Sequence, residues 1–275
     1  MGKYLVVNGE NCMGATEIAT TLAVMTAFVQ TEKCLLMNTG KLHQGIERGI
    51  VSKHRSDNLY HPLADQGMDA LARLIQSGRL NVRNMQDFTK PLIRNRLDLA
   101  SGYSYTARLE LEERSVVNQE VVRIASECYP HLFLHHPDWT KMLEQLGTSD
   151  VGIVVLRQDR EILERFFEHY HSLSHLQDRS IIVAIYHYDV HATLSVRNIK
   201  RMFGCHAPIV GVPYLTGFAN AWNNAEMLSF IQRNHTLPAK SSPNGEHMES
   251  IKQLVHACLK ITAPHSSLVR KEVLM

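Results

Sequence analysis

The residues best placed for chemistry lie near the amino terminus, where a short apolar run leads into a loop and then into a helical pattern. The loop contains Gly9 and Gly14, and the helical pattern begins at Ala15 and is followed by Thr16. Glycines let a backbone approach a ligand closely, and the first turn of a helix offers N–H groups that bind anions. This layout is typical of a phosphate-binding loop.

The charged groups that usually complete such a loop are replaced in this chain. Ala15 stands directly before Thr16, where phosphate loops carry a lysine, and Glu10 and Glu17 flank the same segment. Phosphoryl transfer depends on positioning and on charge neutralisation by lysine and magnesium, and two carboxylates repel a polyanion. The loop is therefore predicted to keep its architecture without hydrolysing a nucleotide.

Two interpretations of the loop stay open. Backbone N–H groups around Gly14 and Thr16 could still hold ATP or another phosphate ligand. Alternatively, the loop serves only as a connector between a strand and a helix, which is the interpretation we favour. We accordingly expect no bound cofactor and no catalytic residue in this segment.

Short apolar runs alternate with helical patterns along most of the chain. Runs that are apolar throughout, separated by helices, are typical of a parallel sheet covered on both faces. The sequence therefore predicts a single α/β domain with a mostly parallel sheet of seven or eight strands flanked by helices. The predicted strands span residues 3–7, 34–37, 97–99, 132–134, 151–156, 180–186 and 209–212.

The domain is expected to span residues 1–235. Two prolines, two serines and a glycine predict a surface linker over residues 236–246. Apolar residues at helical spacing predict a C-terminal helix over 247–262, packed on the core, followed by a tail at 263–275. Residues 218–231 are predicted to form one helix, and the mixed stretch 80–88 gives no firm assignment.

Bulk composition excludes several classes of protein. The chain has 275 residues, a formal net charge of +2 and 44% hydrophobic residues, which is ordinary globular composition without a strong nucleic-acid signal. Five scattered cysteines favour reduced thiols and a cytoplasmic location. No apolar stretch approaches the roughly 20 residues that a transmembrane helix needs.

Histidines and basic clusters offer weaker candidates for a site. His131, His135 and His136 lie near one strand, but four metal ligands are not evident, so no metal site is predicted. The basic groups at residues 53–55 and on the predicted helix with Arg197 and Arg201 are interpreted as solvated faces, because a DNA-binding surface is broader. The tail at 263–275 is too short and too weakly amphipathic to predict membrane docking.

The order and spacing of these features over residues 3–234 resemble the MinD/ParA family of deviant-Walker ATPases, which have a P-loop NTPase fold. The family's first loop reads K-G-G-x-G-K-T-T, and this chain has E-N-C-M-G-A-T-E at residues 10–17. Gly14 and Thr16 match the family pattern. Glu10 stands in place of the signature lysine, and Ala15 in place of the phosphate-binding lysine.

Later segments match the family in their apolar and turn residues and depart from it in their charges. The closing G-I-P-Y motif is matched by G-V-P-Y, with Pro213, and the strand A-D-x-V-I-V-V by S-D-V-G-I-V-V at residues 149–155. The acidic D-x-D motif after the second strand is replaced by N-T-G, beginning at Asn38. His135 replaces the magnesium-linked aspartate, and Tyr186 ends the strand that should carry the base-recognition asparagine.

The resemblance implies a nucleotide cleft at Gly9, Gly14, Thr16 and Pro213, and the replacements imply a pseudo-ATPase. We expect a scaffold, localisation or regulatory protein that acts through protein partners of a bacterial assembly or localisation system, such as the localisation factor of the Tad/Flp pilus. A homodimer would rest on apolar contacts, and any membrane association would be peripheral and through a partner. The alternatives are a nucleotide-binding switch without efficient hydrolysis and a metal-dependent enzyme using the same cleft.

Overall fold

An eight-stranded sheet forms the centre of the computed structural model, which describes residues 2–42, 45–51, 66–104, 111–136, 138–173 and 178–262. The strand order is β3-β4-β2-β5-β1-β6-β7-β8, and every neighbouring pair is parallel except β3 and β4. The strands are β1 Gly2–Asn8, β2 Cys34–Met37, β3 Lys90–Ile93, β4 Leu97–Ala100, β5 His131–His136, β6 Val151–Arg157, β7 Ile181–Tyr188 and β8 Ile209–Pro213.

Helices cover both faces of this sheet. On what we call the first face lie α1, α7, α8 and α9, and on the second face lie α2 to α6. The helices are α1 Ala15–Val29, α2 Met68–Gln76, α3 Leu111–Cys128, α4 Trp139–Gln145, α5 Arg160–Ser172, α6 Val196–Phe203, α7 Thr216–Asn223, α8 Met227–Asn234 and α9 Pro243–Thr262.

Each strand contributes to two hydrophobic cores, because successive side chains point to opposite faces of a sheet. In β1, Tyr4 and Val6 belong to the core under the first face, and Leu5 and Val7 belong to the core under the second. All four side chains are buried. Burial on both faces explains why the strand is apolar throughout its length, as the sequence indicates.

The predicted fold class is confirmed, since the sheet has eight strands and seven of them are parallel. The strand β3 was not predicted, because it is a short edge strand that includes Pro91, and proline is accepted in sheets mainly at edges. The prediction of one helix over 218–231 is wrong. The chain forms α7 and α8 there, separated by a turn at Ala225 with a φ of 58°.

The C-terminal helix α9 begins at Pro243 and not at residue 247, so the connection from α8 is shorter than the predicted linker. Proline suits the first turn of a helix, because its missing N–H would have no partner there. Met248, Ile251 and Leu254 on α9 are fully buried against the core of the first face. This helix is therefore a layer of the same domain. The tail at 263–275 and the basic cluster at 53–55 lie outside the described residues.

Candidate functional site

The loop between β1 and α1 has an unusual backbone. Glu10 and Asn11 have φ values of 46° and 58°, and Gly14, the residue before α1, has a φ of 119°. The Cys12 N–H donates to the Gly9 carbonyl at 2.9 Å, which closes a tight turn. The loop therefore carries the chain from Gly9 through Gly14 directly into the first turn of α1, where Thr16 is the second residue of the helix.

Groups that a phosphate loop would present to an anion are engaged within the protein. The Ala15 N–H donates to the side-chain oxygen of Asn8 at 2.9 Å. The Thr16 hydroxyl donates to the carboxylate of Glu17 at 2.8 Å. The Asn8 side chain thus accepts one of the N–H groups that are free at the start of a helix. The Glu17 carboxylate accepts the proton of the Thr16 hydroxyl, which is the group that a magnesium ion would contact in a P-loop.

Both loop glycines are explained by close packing. A Cβ at Gly9 would lie 2.6 Å from the side chain of Leu156 and 2.9 Å from that of Val154. A Cβ at Gly14 would lie 2.4 Å from the ring of Tyr186. The ring of Tyr186 therefore rests directly on the loop, next to the start of α1, and burial raises the pKa of its hydroxyl.

Polar side chains mark the carboxyl ends of the central strands on the first face. Because side-chain direction alternates along a strand, Asn8, Tyr186 and Arg157 share the face of Val6, Ala184 and Val155, which is the face covered by α1. By the same alternation His135 and Asn38 lie on this face at the ends of β5 and β2. The strands bring these residues to one edge of the sheet, where open α/β sheets usually bind ligands.

A carboxylate that sequence reasoning missed lies beside Asn38. Glu47, in the short 3-10 helix Ile46–Gly49, is fully buried. The side-chain amide of Asn38 donates to its two carboxylate oxygens at 2.8 and 2.7 Å and also to the Lys41 carbonyl at 3.0 Å. Glu47 stands nine residues after Asn38 in a loop-rich stretch, so no motif spacing in the sequence pointed to this pair.

His135 replaces an acidic family position with a neutral group. Burial lowers its pKa to about 4, and the neighbouring His136 contributes in the same direction. Its Nε2 atom is buried and has no hydrogen-bond partner among the described residues. An uncharged imidazole cannot take the place of a carboxylate in neutralising a metal ion.

Arg157, a second residue missed from the sequence, supplies an exposed cation next to the loop. Its charge and its backbone N–H both favour the thiolate of Cys12 and so act to lower the pKa of that thiol. Burial of the thiol is the larger effect, so the pKa of Cys12 is raised. The position of Arg157 at the end of β6 is the signal that could have identified it.

Pro213 does not join the loop residues. It ends β8, which is separated from β1 by β6 and β7, and its carbonyl accepts a hydrogen bond from Nδ1 of His247 at 2.8 Å. Pro213 lines a cavity of about 510 Å³ together with His187 and Tyr214. The predicted cleft residues therefore divide into a loop with Gly9, Gly14 and Thr16 and a separate cavity with Pro213.

The histidines near β5 do not converge. Nδ1 of His131 forms a hydrogen bond with the Tyr4 hydroxyl at 3.1 Å. His131 and His135 lie on one strand face, but four residues at about 3.3 Å each separate them by roughly 13 Å. The part of the chain that the structure describes contains no group of three His, Cys, Asp or Glu side chains placed to hold a metal ion. Among the described residues, no helix is long and apolar enough to span a bilayer.

The sheet order, the loop after β1 and the helices on both faces define a MinD/ParA-like P-loop fold. A ParA family ATPase from Chlorobium tepidum TLS superposes with a TM-score of 0.64 at 15% identity, covering 92% of this chain and 98% of that one. MinD in the MinC:MinD cell division complex of Aquifex aeolicus gives a TM-score of 0.62 at 14% identity, over 96% and 98% of the two chains.

Apo McdA from Cyanthece is a further structural neighbour, with a TM-score of 0.55 at 14% identity over 92% of this chain and 99% of that one. No protein-family model and no curated protein matches the sequence. At these identities the similarity shows the fold, and the fold does not carry the activity of the neighbours with it.

Proposed function

We propose that the chain is a MinD/ParA-like pseudo-ATPase that acts as a scaffold, localisation or regulatory protein through protein–protein contacts. The observation that carries the proposal is the internal engagement of the loop. Asn8 takes the Ala15 N–H, Glu17 takes the Thr16 hydroxyl, and the Tyr186 ring lies against Gly14. The loop is thus held as a strand-to-helix connector.

The electrostatics of the cleft support the same proposal. Phosphoryl transfer is catalysed by positioning and by cations that neutralise the developing charge. At the positions that resemble the family's lysines and acidic residues, this chain has Glu10, Ala15, Asn38 and His135. Glu47, the buried carboxylate nearest to Asn38, is held by the Asn38 amide. These residues do not fit a magnesium–nucleotide complex, so we derive no hydrolytic step.

The structural neighbours suggest the kind of partner. One neighbour is MinD in a complex with MinC, which is a cell division protein assembly. By analogy we propose that this chain is cytoplasmic and contacts proteins of a bacterial localisation or assembly system, such as a Tad/Flp pilus system. We also propose that any homodimer of this chain is held together by apolar contacts. Mass measurement in solution tests this part of the proposal.

Thermal unfolding and phosphate release with ATP and magnesium test the main proposal. A ligand at one hundred times its Kd stabilises the folded state by about 2.7 kcal/mol, which raises the melting temperature measurably. We expect no such rise with ATP or ADP and no phosphate release. Hydrolysis of ATP that is lost in the variant Thr16→Ala would overturn the proposal, because contaminating enzymes would not respond to that substitution.

Arg157 favours one alternative, a nucleotide-binding switch without efficient hydrolysis. Its exposed guanidinium lies beside the loop and could attract a phosphate group. In that case ATP would raise the melting temperature without turnover, and Arg157→Ala would abolish the rise. Arg94→Ala is the matched control, because Arg94 is an exposed arginine on the distant turn between β3 and β4.

A further inference from the structure

A cavity of about 510 Å³ lies at the outer edge of the sheet, around the last strand β8. It is the cavity that Pro213, His187 and Tyr214 line, and its remaining walls come from α9 and from the segment that precedes α9. A volume of this size falls within the usual range for ligand pockets. The cavity is therefore large enough for a long side chain and some of the backbone that carries it.

A β-bulge at the end of β7 shapes one side of this cavity. The register between β7 and β8 shifts between Tyr186 and Tyr188, and His187 between them has a φ of 57°. As a result Tyr186 packs against the core of the first face, and Tyr188 packs against the core of the second. Because Tyr188 and residues of α9 line one cavity from opposite faces of the sheet, the cavity opens around the outer edge of β8.

Two tyrosine rings form aromatic walls. A Cβ at Gly211 would lie 2.4 Å from the Tyr188 ring, and the Tyr188 hydroxyl accepts a hydrogen bond from the Val196 N–H at 3.2 Å, so this ring is fixed. The Tyr214 ring meets the His187 ring edge-on, with ring centres 5.0 Å apart, and 56% of Tyr214 stays exposed. The faces of such rings attract cations.

Carboxylates outnumber cations on the walls. Glu246 and Glu249 lie one helical turn apart on α9, and Asp189 lines the cavity from the turn after β7. No described residue forms an ion pair with any of these three carboxylates. Lys240 also lines the cavity, and the pKa of His187 is lowered, mainly by burial, so its imidazole is neutral at pH 7. The described lining residues therefore carry three negative charges and one positive charge.

This combination of walls suits a guanidinium group. A guanidinium is planar, has five N–H donors and stacks on aromatic rings, so it can bind carboxylates from two elements at once. A metal ion needs ligands that converge, and the described part of the chain has no three His, Cys, Asp or Glu side chains placed to hold one. A phosphate group would be repelled by Glu246, Glu249 and Asp189.

We propose that this cavity binds the side chain of an arginine in an extended segment of a partner protein. The guanidinium stacks on Tyr214 and contacts the carboxylates of Glu246 and Glu249. The backbone of the segment lies along the outer edge of β8, because an edge strand offers unpaired backbone groups. The inference rests on the proposed function, since it names the chemistry of one protein–protein contact.

Nuclear magnetic resonance titration of the isotope-labelled full chain with a five-residue peptide, one arginine flanked by glycines and blocked at both ends, tests the site. We expect saturable shifts of the Gly211 and Ser250 amides. The same peptide with citrulline, which has the shape of arginine without its charge, should bind roughly tenfold more weakly. Agmatine, a free guanidinium compound, should also bind more weakly, because it has no peptide backbone. If citrulline peptide or agmatine bound as tightly as the arginine peptide, the proposal would be wrong.

Variants locate the binding. Glu246→Gln and Glu249→Gln should each weaken binding of the arginine peptide by about tenfold, whereas Lys240→Gln should strengthen it by removing a competing positive charge. Tyr214→Ala should weaken binding and Tyr214→Phe should preserve it, because the aromatic face is retained. Glu168→Gln, at an exposed glutamate on α5, is the matched control and should have no effect. Unchanged binding in a folded double variant of Glu246 and Glu249 would overturn the proposal.

The peptide titration and the nucleotide tests fail separately. The titration contains no nucleotide, and stabilisation by ATP is measured without peptide. Absence of peptide binding together with no response to ATP would overturn only the arginine site. Peptide binding together with ATP hydrolysis that is lost in Thr16→Ala would overturn only the proposed pseudo-ATPase function.

Discussion

At the scale of single residues, Gly14 shows how the loop after β1 is built around a side chain. Its φ of 119° is unfavourable for any residue with a Cβ, and the ring of Tyr186 lies where that Cβ would be. Two separate effects therefore act at one position, backbone strain and steric overlap. They can be measured separately, because only the overlap depends on Tyr186.

We expect Gly14→Ala to destabilise the fold by about 3 kcal/mol, combining backbone strain with displacement of a packed ring. In the background of Tyr186→Ala, the same substitution should cost only about 1–2 kcal/mol, because the strain alone remains. Chemical denaturation of the unsubstituted protein, Gly14→Ala, Tyr186→Ala and the double variant gives the coupling energy between the two positions. Gly78→Ala is the control for strain without overlap, since Gly78 has a φ of 65° and a Cβ added there would meet no atom within 4 Å. Additive effects would show that the ring does not rest on Gly14.

Residue types along the sequence indicated which charges the cleft lacks, but not which groups stand in their place. The absence of lysine at Ala15 can be read directly. The pairing of Asn38 with Glu47 depends on a 3-10 helix in a loop-rich stretch, and the pairing of Asn8 with the Ala15 N–H depends on the turn between them. Such contacts follow from tertiary packing, which sequence periodicity does not encode.

At the scale of elements, the strands were predicted well because burial on both faces makes them apolar throughout. The helix break between α7 and α8 was missed because its turn has no glycine or proline. The Glu226 N–H donates to the Ala221 carbonyl and the Ala225 N–H donates to the Trp222 carbonyl, at 2.8 and 3.2 Å. This pattern is a Schellman motif with Ala225 at the position that glycine usually takes.

Ala225→Gly should therefore stabilise the protein by about 1 kcal/mol, since glycine adopts a positive φ without the penalty of a Cβ. Thermal and chemical unfolding measure the change. Ala219→Gly, inside α7, is the matched control and should destabilise by about 1 kcal/mol. If both substitutions destabilised the protein equally, residues 218–231 would form the continuous helix that the sequence pattern suggested.

At the scale of the whole molecule, one sheet separates two cores with different openings to solvent. The loop after β1 and its neighbouring polar side chains lie at the edge of the first face, where α1, α7, α8 and α9 pack closely. A cavity of about 1050 Å³ beside α3 lies mainly on the second face and reaches Asn38 and His135 at the ends of β2 and β5.

Two buried histidines make the stability of the whole fold depend on pH. Burial lowers the pKa of His247 on α9 to about 4, assisted by His187, and lowers the pKa of His135 to about 4. In the unfolded chain a histidine has a pKa near 6.5, so below that pH the unfolded state binds protons that the folded state does not. Stability is therefore fully present above about pH 6.5 and falls as the pH decreases towards 4.

Each of these histidines should remove roughly 2 kcal/mol of unfolding free energy between about pH 7 and about pH 5. Chemical denaturation across this range measures the slope. His247→Gln should remove its own share of the pH dependence, roughly 2 kcal/mol, because His247 is almost completely buried and its protonated form has only the Pro213 carbonyl as a hydrogen-bond partner among the described residues. His256→Gln changes an exposed histidine on the same helix and should leave the slope as it is. His247 and His256 lie on the same helix and differ in that the packing of α9 against the first face buries only His247. An equal loss of pH dependence in His247→Gln and His256→Gln would therefore contradict this packing of α9.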